Sequence, residues 1–558
     1  MIIRREIVCT RQFLNIPIKT GERVKTVKLI AGDRTVREGS MEVAEGEEDF
    51  WTFIDIGFLH GQRVIIEVDM LANGSRVLER FQVSDEIKGT WPVYGEPGRP
   101  AFHFTPRRGW INDPNGLVYY GGEYHLFFQH NPYGWNWAAM HWGHAVSRDL
   151  IHWQEVEEAL FPDELGTMCS GTAVVDHGNT SGLGEEGRDP LVVFYTAMKV
   201  DEAFVQGMAY SLDGKTFKKY PGNPVVSQIR WSNRDPKVFW HAASSRWVMA
   251  LYVPGEPDPH SGDDTDRPFF RYEIHFLSSD NLRTWSKAGV FPGGFGNDFC
   301  GIDRFLYECP DMYLLPVDNE PTLKRWVLTA ANGGYTLGEF DGKMFFANPD
   351  VHFPGRSEVF SAGQVFNNEP SGRWIQLGFL RAPTPGMPFN QCLSVPLELS
   401  LRSARGGVRL CASPVEELKA LRSETITFSA GPLAPGANPL ETVFSEAFDL
   451  ELEISPRDAR WLAINLNGIS LVYDVACAEL VCRSTRLALH ADSNGRVSLR
   501  LLVDRSTVEV FGESGLVYYP IATPLSQSRR KISLSAIGGE AEIHHLSFHK
   551  MTSIWKPS

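Results

Sequence analysis

At 558 residues the chain exceeds what one hydrophobic core can serve, so roughly two to four domains are expected. Its composition is ordinary for a globular protein, 43% hydrophobic and 22% charged. A formal net charge of −14 argues against nucleic acid or an anionic membrane as partner.

With 51 Gly and 35 Pro the chain is rich in turns and hence in short strands, and its 15 Trp suit stacking on sugar faces. No run of about 18 apolar residues is long enough to span a membrane. The start, Met1-Ile-Ile-Arg-Arg-Glu-Ile-Val-Cys9, does not read as a signal peptide. A cytoplasmic protein is expected from the chain as given, or a secreted one if a signal has been removed. The eight cysteines are scattered without a CxxC pair, which favours reduced thiols, with a disulfide through Cys477 or Cys482 left open.

In chain order, residues 1–95 alternate in strand fashion (Val24–Ile30, Phe50–Ile56, Arg63–Val68) and form an accessory all-β domain. Gly89–Pro100 reads as a linker. Residues 96–402 contain a degenerate repeat. Ser147–Trp153, Ser211–Phe217 and Ser278–Trp285 share a Ser-x-Asp turn before an aromatic, with Asp149, Asp213 and Asp280 at 64- and 67-residue spacing. Apolar strand-like runs recur at Tyr124–Gln129, Leu191–Thr196, Trp247–Val253, Trp326–Ala330 and Trp374–Phe379. Their period of about 60 residues fits one four-stranded sheet per unit, and so a five-bladed β-propeller. Residues 403–558 begin with a short helix candidate at Pro414–Leu421. Strands at Ala447–Ile454, Trp461–Leu466, Leu499–Asp504, Thr507–Phe511, Lys531–Ala536 and Glu542–His549 follow, as in a β-sandwich. The fold class is therefore all-β throughout.

The innermost strand of each blade lines the propeller axis, so groups at its start converge on one funnel. Three acids have that phase: Asp113 in Gly109-Trp-Ile-Asn-Asp-Pro-Asn-Gly116, Asp235 in Asn233-Arg-Asp-Pro236, and Glu308 in Tyr307-Glu-Cys-Pro-Asp311. Asp189-Pro190 repeats the Asp-Pro pattern but opens a second strand, and is expected to lie away from the axis. Glycosidic cleavage needs a proton donor for the leaving oxygen and a carboxylate for the developing oxocarbenium carbon. Glu308 has little fixed positive charge beside it in sequence and suits the acid. Asp113, among the amides of Asn112 and Asn115, is expected to stay ionised and act as nucleophile. Asp235 is expected to be held ionised by Arg234 and to bond sugar hydroxyls.

These residues resemble family 32 of the glycoside hydrolases, the β-fructosidases. Trp110–Gly116, Arg234–Pro236 and Glu308–Pro310 are similar to its three motifs in order, and Val503–Phe511 to a motif of its C-terminal sandwich. The resemblance covers about residues 100–555. It implies a retaining mechanism with Asp113 as nucleophile, Glu308 as acid/base and Asp235 as transition-state stabiliser. It also implies a fructose subsite from Asn112, Gln129, Trp137, Ser170 and Arg234, and no cofactor; Trp110 offers a stacking face for the sugar, and no metal site is expected. Two places depart from the family pattern: Cys169 stands where an aromatic is usual, and Ser357–Gln364, with Phe360 and Gln364, matches only loosely.

His141 and His144 read as structural histidines and Cys309 as a packing or tuning neighbour of Glu308. At least one of Trp135, Trp137 and Trp142 is expected to stack on sugar. The expected activity is release of terminal fructose from levan, inulin and to some extent sucrose. Alternatives are an invertase or fructosyltransferase with the same residues, an inverting arabinan- or xylan-cleaving propeller, and a non-catalytic sugar-binding propeller. Substrate length is expected to be read by loops 255–266 and 291–303, and a homo-oligomer through the accessory β-domains is left open.

Overall fold

The computed structural model describes the chain except residues 70–74, 186, 200–201, 258–269, 297–305, 307, 349–351, 354–356, 524–530 and 556–558. Most of the two loops expected to read substrate length therefore lies outside the described residues.

Short β-branched and aromatic runs bounded by Gly and Asn turns give strands throughout, and the only helices among the described residues are 3-10 turns. The N-terminal strands form a four-stranded sheet (Ile3–Val8, Arg63–Val68, Lys25–Ala31, Arg34–Met41) and a three-stranded one (Phe50–Asp55, Phe13–Ile18, Gln82–Ser84). Leu14, Ile16, Val27, Leu29 and Ile66 are fully buried between them.

Five blades then follow around one axis, the fourth and fifth sharing one nine-stranded sheet through a parallel bridge between Val317 and Leu401. Their innermost strands are Gly109–Tyr120, Thr167–Val175, Arg234–His241, Asp311–Val317 and Phe360–Val365 (blades I to V). Each of the five apolar runs seen in the sequence forms the second strand of its blade, hydrogen-bonded antiparallel to the inner one. The Ser-x-Asp turns close the third strands of blades I and II, where Ser147 and Ser211 hydroxyls lie 3.0 and 2.8 Å from Asp149 and Asp213. In blade III the register is one residue later: Ser279 bonds Asn281, and Asp280 instead pairs with Arg246. The ring closes where Phe389–Asn390 pairs in parallel with Gly109–Trp110.

The sheet of blade V continues through Leu397–Ala404 and Gly407–Pro414, past the expected boundary at 402. The expected helix is a 3-10 turn, Glu416–Leu421, because Pro414 completes the preceding strand. A seven-stranded and a five-stranded sheet then face each other across Leu450, Leu501, Leu462, Ile464 and Leu471.

From Glu96 onward, Pro97 apart, the expected linker is a buried seam rather than a spacer. Glu96, Arg99 and Arg108 are nearly inaccessible; Glu96 accepts from Arg99 at 2.6 Å and from Arg108 at 2.7 Å. Just beyond it, His103 sits between two sandwich carboxylates, Nδ1 2.8 Å from Asp504 and Nε2 3.2 Å from Glu509. Asp504 also accepts the backbone N–H groups of Ala101 and Phe102. Burial opposes a charge on His103, yet these bonds prevail and push its pKa up to about 9. The Val503–Phe511 motif thus supplies the clamp that joins sandwich to propeller, and one continuous apolar core runs from Phe104 and Leu117 to Leu502 and Phe511. All described cysteines are free thiols, Cys477 exposed and Cys482 buried.

Candidate active site

The inner strands are irregular at one common level. Register shifts interrupt pairing between Ile111 and Pro114, Met168 and Gly171, Arg234 and Lys237, and Ser361 and Gln364. In blade IV the same level is reached by Glu308 and Cys309, both at positive φ (50° and 40°), and Asp235 and Ala362 share that conformation (62° and 52°). Left-handed backbone is unfavourable for such residues and persists only where the surroundings enforce it. Bulges re-aim side chains, and here they turn one residue per blade toward the axis. Gly116 is needed within this packing: its φ is 54°, and a Cβ would meet Phe127 at 2.9 Å and Trp142 at 3.1 Å.

The outcome is a cavity of about 480 Å³ on the axis. Asp113, Asp235 and Glu308 all line it, with Trp110, Asn112, Gln129, Trp137 and Arg234. Asp113 Oδ2 accepts from Ser170 Oγ at 2.7 Å and Asn112 donates to Oδ1 at 3.2 Å. Gln129 in turn donates to Ser170, and Trp110 Nε1 donates to Asn112 at 2.9 Å. The Cys309 thiol lies 3.4 Å from Asp113 Oδ2 and 3.4 Å from Asp235 Oδ2, and its backbone N–H donates to Asp235 at 3.1 Å. Every predicted site residue is therefore in this one network or in the cavity wall.

Two electrostatic expectations are overturned. Arg234 does not chiefly serve Asp235. It donates from Nε and Nη2 to Glu308 Oε1, while its nearest nitrogen is 3.9 Å from Asp235 Oδ2. The supposed acid thus has a fixed cation beside it, contributed from 74 residues earlier in the chain. Asp235 is not held strongly ionised either. Burial first, then the anions of Glu308 and Asp113, outweigh Arg234 and push its pKa up to about 7. Burial likewise raises Asp113 above the ordinary carboxylate range, assisted by Glu308 and opposed by Ser170, Asn112 and Cys309.

Asp189 is away from the cavity, paired with His177 at 2.8 Å on the surface. His141 and His144 are buried among aromatic rings, and burial pushes His141 down to about 3. Trp142 is wholly buried and Trp135 partly so, leaving Trp137, 48% exposed, as the rim indole of the three. Phe360 packs against Tyr518, and Gln364 donates to Gly171 O, so neither side chain lines the cavity.

Several wall residues escaped the sequence reading: Thr196, Ser361, Phe379 and Arg381. Thr196 accepts the backbone N–H of Asp235 at 2.9 Å and so fixes the acid's backbone. The signal was present. Gln129, Thr196 and Phe379 all end second-strand runs, which return to the same level as the acids.

Residues 103–414 match the family model for the glycosyl hydrolases family 32 N-terminal domain, and residues 417–550 match that for the family's C terminal domain. A levanase of Bacillus subtilis is 37% identical over 508 residues, covering 83% of this chain and 72% of its own length. An extracellular exo-inulinase of Aspergillus ficuum is 31% identical over 541 residues, covering 83% and 96%. The crystal structure of an exo-inulinase from Aspergillus awamori superposes with a TM-score of 0.71 at 29% identity, covering 83% of this chain and all of that one.

Proposed function

The chain belongs to glycosyl hydrolase family 32, and from that premise we propose that it releases terminal β-D-fructose from a fructose-containing saccharide by double displacement at Asp113 and Glu308. It is a glycosidase of the fructan- and sucrose-cleaving kind. The observation behind the assignment of roles is that three carboxylates from three blades share one cavity, with Asp113 fixed by Ser170 and Asn112 on its two oxygens.

In this reading Asp113 attacks the anomeric carbon of the terminal fructosyl unit while Glu308 gives its proton to the departing glycosidic oxygen. The fructosyl ester on Asp113 is then hydrolysed by a water that Glu308 deprotonates, which returns fructose with its configuration retained. Asp235 accepts from fructose hydroxyls, and its raised pKa lets it share a proton as those bonds tighten. Arg234 neutralises Glu308 between steps and orients the sugar. Trp110 and Trp137 offer ring faces, and the amides of Asn112 and Gln129 offer polar contacts.

Incubation with sucrose, inulin and levan, with products resolved by chain length and anomeric form, tests this. Free β-fructose as the first product is expected. Oligomers alone would remove exo action, net inversion would favour the water-activated alternative, and binding without turnover would leave a sugar-binding propeller.

A further inference from the structure

The family models begin at residue 103, so they give no role to the N-terminal domain. We propose that this domain is part of the substrate apparatus, and that it positions Trp137 by clasping the chain segment that leads to it. The proposal rests on the reading above that Trp137 contacts the fructosyl donor.

Blade I sends a loop, residues 132–140, outward between its second and third strands. The buried Thr52 hydroxyl of the N-terminal domain donates to Pro132 O at 2.6 Å. One residue on, Tyr133 is buried in the core of the N-terminal domain, its ring edge-on to His141 of blade I at 5.4 Å. Its ring lies so close to the strand Arg34–Met41 that a Cβ at Gly39 would stand 2.6 Å from it. Trp135 packs on the same core, with its indole N–H on the carbonyls of Met387 and Phe389 at 3.1 and 3.2 Å.

Trp137 comes two residues later, at the cavity rim with 48% of its surface exposed. Its approach is fixed by the preceding backbone, which the propeller holds through Asn131 on Asn136 O at 2.8 Å and Asn390 on Trp135 O at 3.0 Å, and which the N-terminal domain holds through Thr52 and Tyr133. An indole that stacks on the bound sugar without touching the reacting atoms contributes to ground state and transition state alike, so its displacement weakens binding and leaves turnover nearly unchanged.

The test is steady-state kinetics on sucrose with the full chain. Thr52→Val keeps the shape and removes the donor, Gly39→Val pushes on Tyr133, and Thr52→Ser keeps the hydroxyl. We expect Thr52→Val and Gly39→Val to raise KM by about 5-fold or more with kcat within roughly 2-fold, and Thr52→Ser to stay near wild type. In a Trp137→Ala background, whose own KM is raised, the Thr52→Val effect should vanish. Wild-type KM in Thr52→Val, or an effect undiminished without Trp137, overturns the proposal. An unchanged KM in Trp137→Ala alone instead refutes the reading of Trp137 as a donor contact, and the proposal with it. If Gly39→Val does not fold, the two Thr52 variants decide.

Discussion

Arg234 bonds Glu308 in preference to its sequence neighbour Asp235, with Nε 3.1 Å from Glu308 Oε1 against 3.9 Å from Asp235 Oδ2. Its plane also lies over the Tyr252 ring at 4.7 Å. A two-pronged, stacked guanidinium is poorly replaced by an ammonium. Arg234→Lys should therefore lose about 100-fold or more in kcat/KM on sucrose. A loss under roughly 3-fold would show that only the charge matters.

Asp113→Asn and Glu308→Gln should each lower turnover by about three orders of magnitude or more. The two should part company on an aryl fructoside, whose leaving group departs without a proton. Glu308→Gln should then regain formation of the fructosyl-enzyme, seen as a burst of released phenol, while Asp113→Asn should not. Glu308 also raises the Asp113 pKa by its charge, so the acid limb of that residual activity should move to lower pH.

Asp235 and Asp113 also affect stability. Their folded pKa values lie above the ordinary 3.8, so between that value and about 7 for Asp235 the folded state holds protons that the unfolded chain has released. Stability contributed by that protonation is lost as pH rises through this window. Asp235→Asn should accordingly melt at higher temperature than wild type at pH 8, with the gap closing toward pH 4, while activity falls. A lower melting temperature at pH 8 would mean that the ionised carboxylate stabilises the funnel.

His103 acts in the same direction at higher pH, through a charge that the fold favours rather than one that it resists. Its pKa is raised from 6.5 to about 9, so its contribution is complete below about 6.5 and fades as pH rises through 9. Asp504, lowered from its usual value mainly because the His103 bond overcomes burial, contributes above 3.8 and fails as pH falls through its folded value. His103→Phe should destabilise the protein at pH 6 and much less at pH 10, read by chemical denaturation followed through Trp fluorescence. Equal loss at both pH values would reduce His103 to a packing residue.

Lys237 and Asp311 form a buried pair at 2.8 Å just below the acids, joining blade III to blade IV. Removing either partner alone leaves a buried charge and should cost about 3–5 kcal/mol. Replacing both by apolar residues, as in Lys237→Met with Asp311→Leu, should recover most of that loss. If either single variant is as stable as wild type, the pair is not holding the two blades together.

The three acids could be found from sequence because blade phase is written in apolar runs, and those runs are a property of local burial. Tyr124–Gln129 and Trp374–Phe379 announce second strands whatever surrounds them. The partnership of Arg234 with Glu308 could not be read this way, since it depends on two blades closing a ring. Nor could the buried seam at Glu96 and Arg99: Gly89–Pro100 has a linker's composition, and only the packing of three domains shows its charges turned inward. The raised pKa values of Asp113 and Asp235 are not legible in sequence either, because burial is their largest cause and it appears only once the blades close.

The broken pairing near the acids also redirects main-chain hydrogen bonds. In a regular ladder the N–H groups of an inner strand that face its neighbour would all meet carbonyls there. Here Asp235 N–H is free to reach Thr196, Cys309 N–H reaches Asp235, and in the layer just below Val365 N–H reaches Asp311 at 2.7 Å. Backbone donors at this level are thus turned to side chains, where they fix Asp235 at both its main chain and its carboxylate and hold Asp311 beneath it. Restoring perfect pairing there would make a sounder sheet and a worse enzyme.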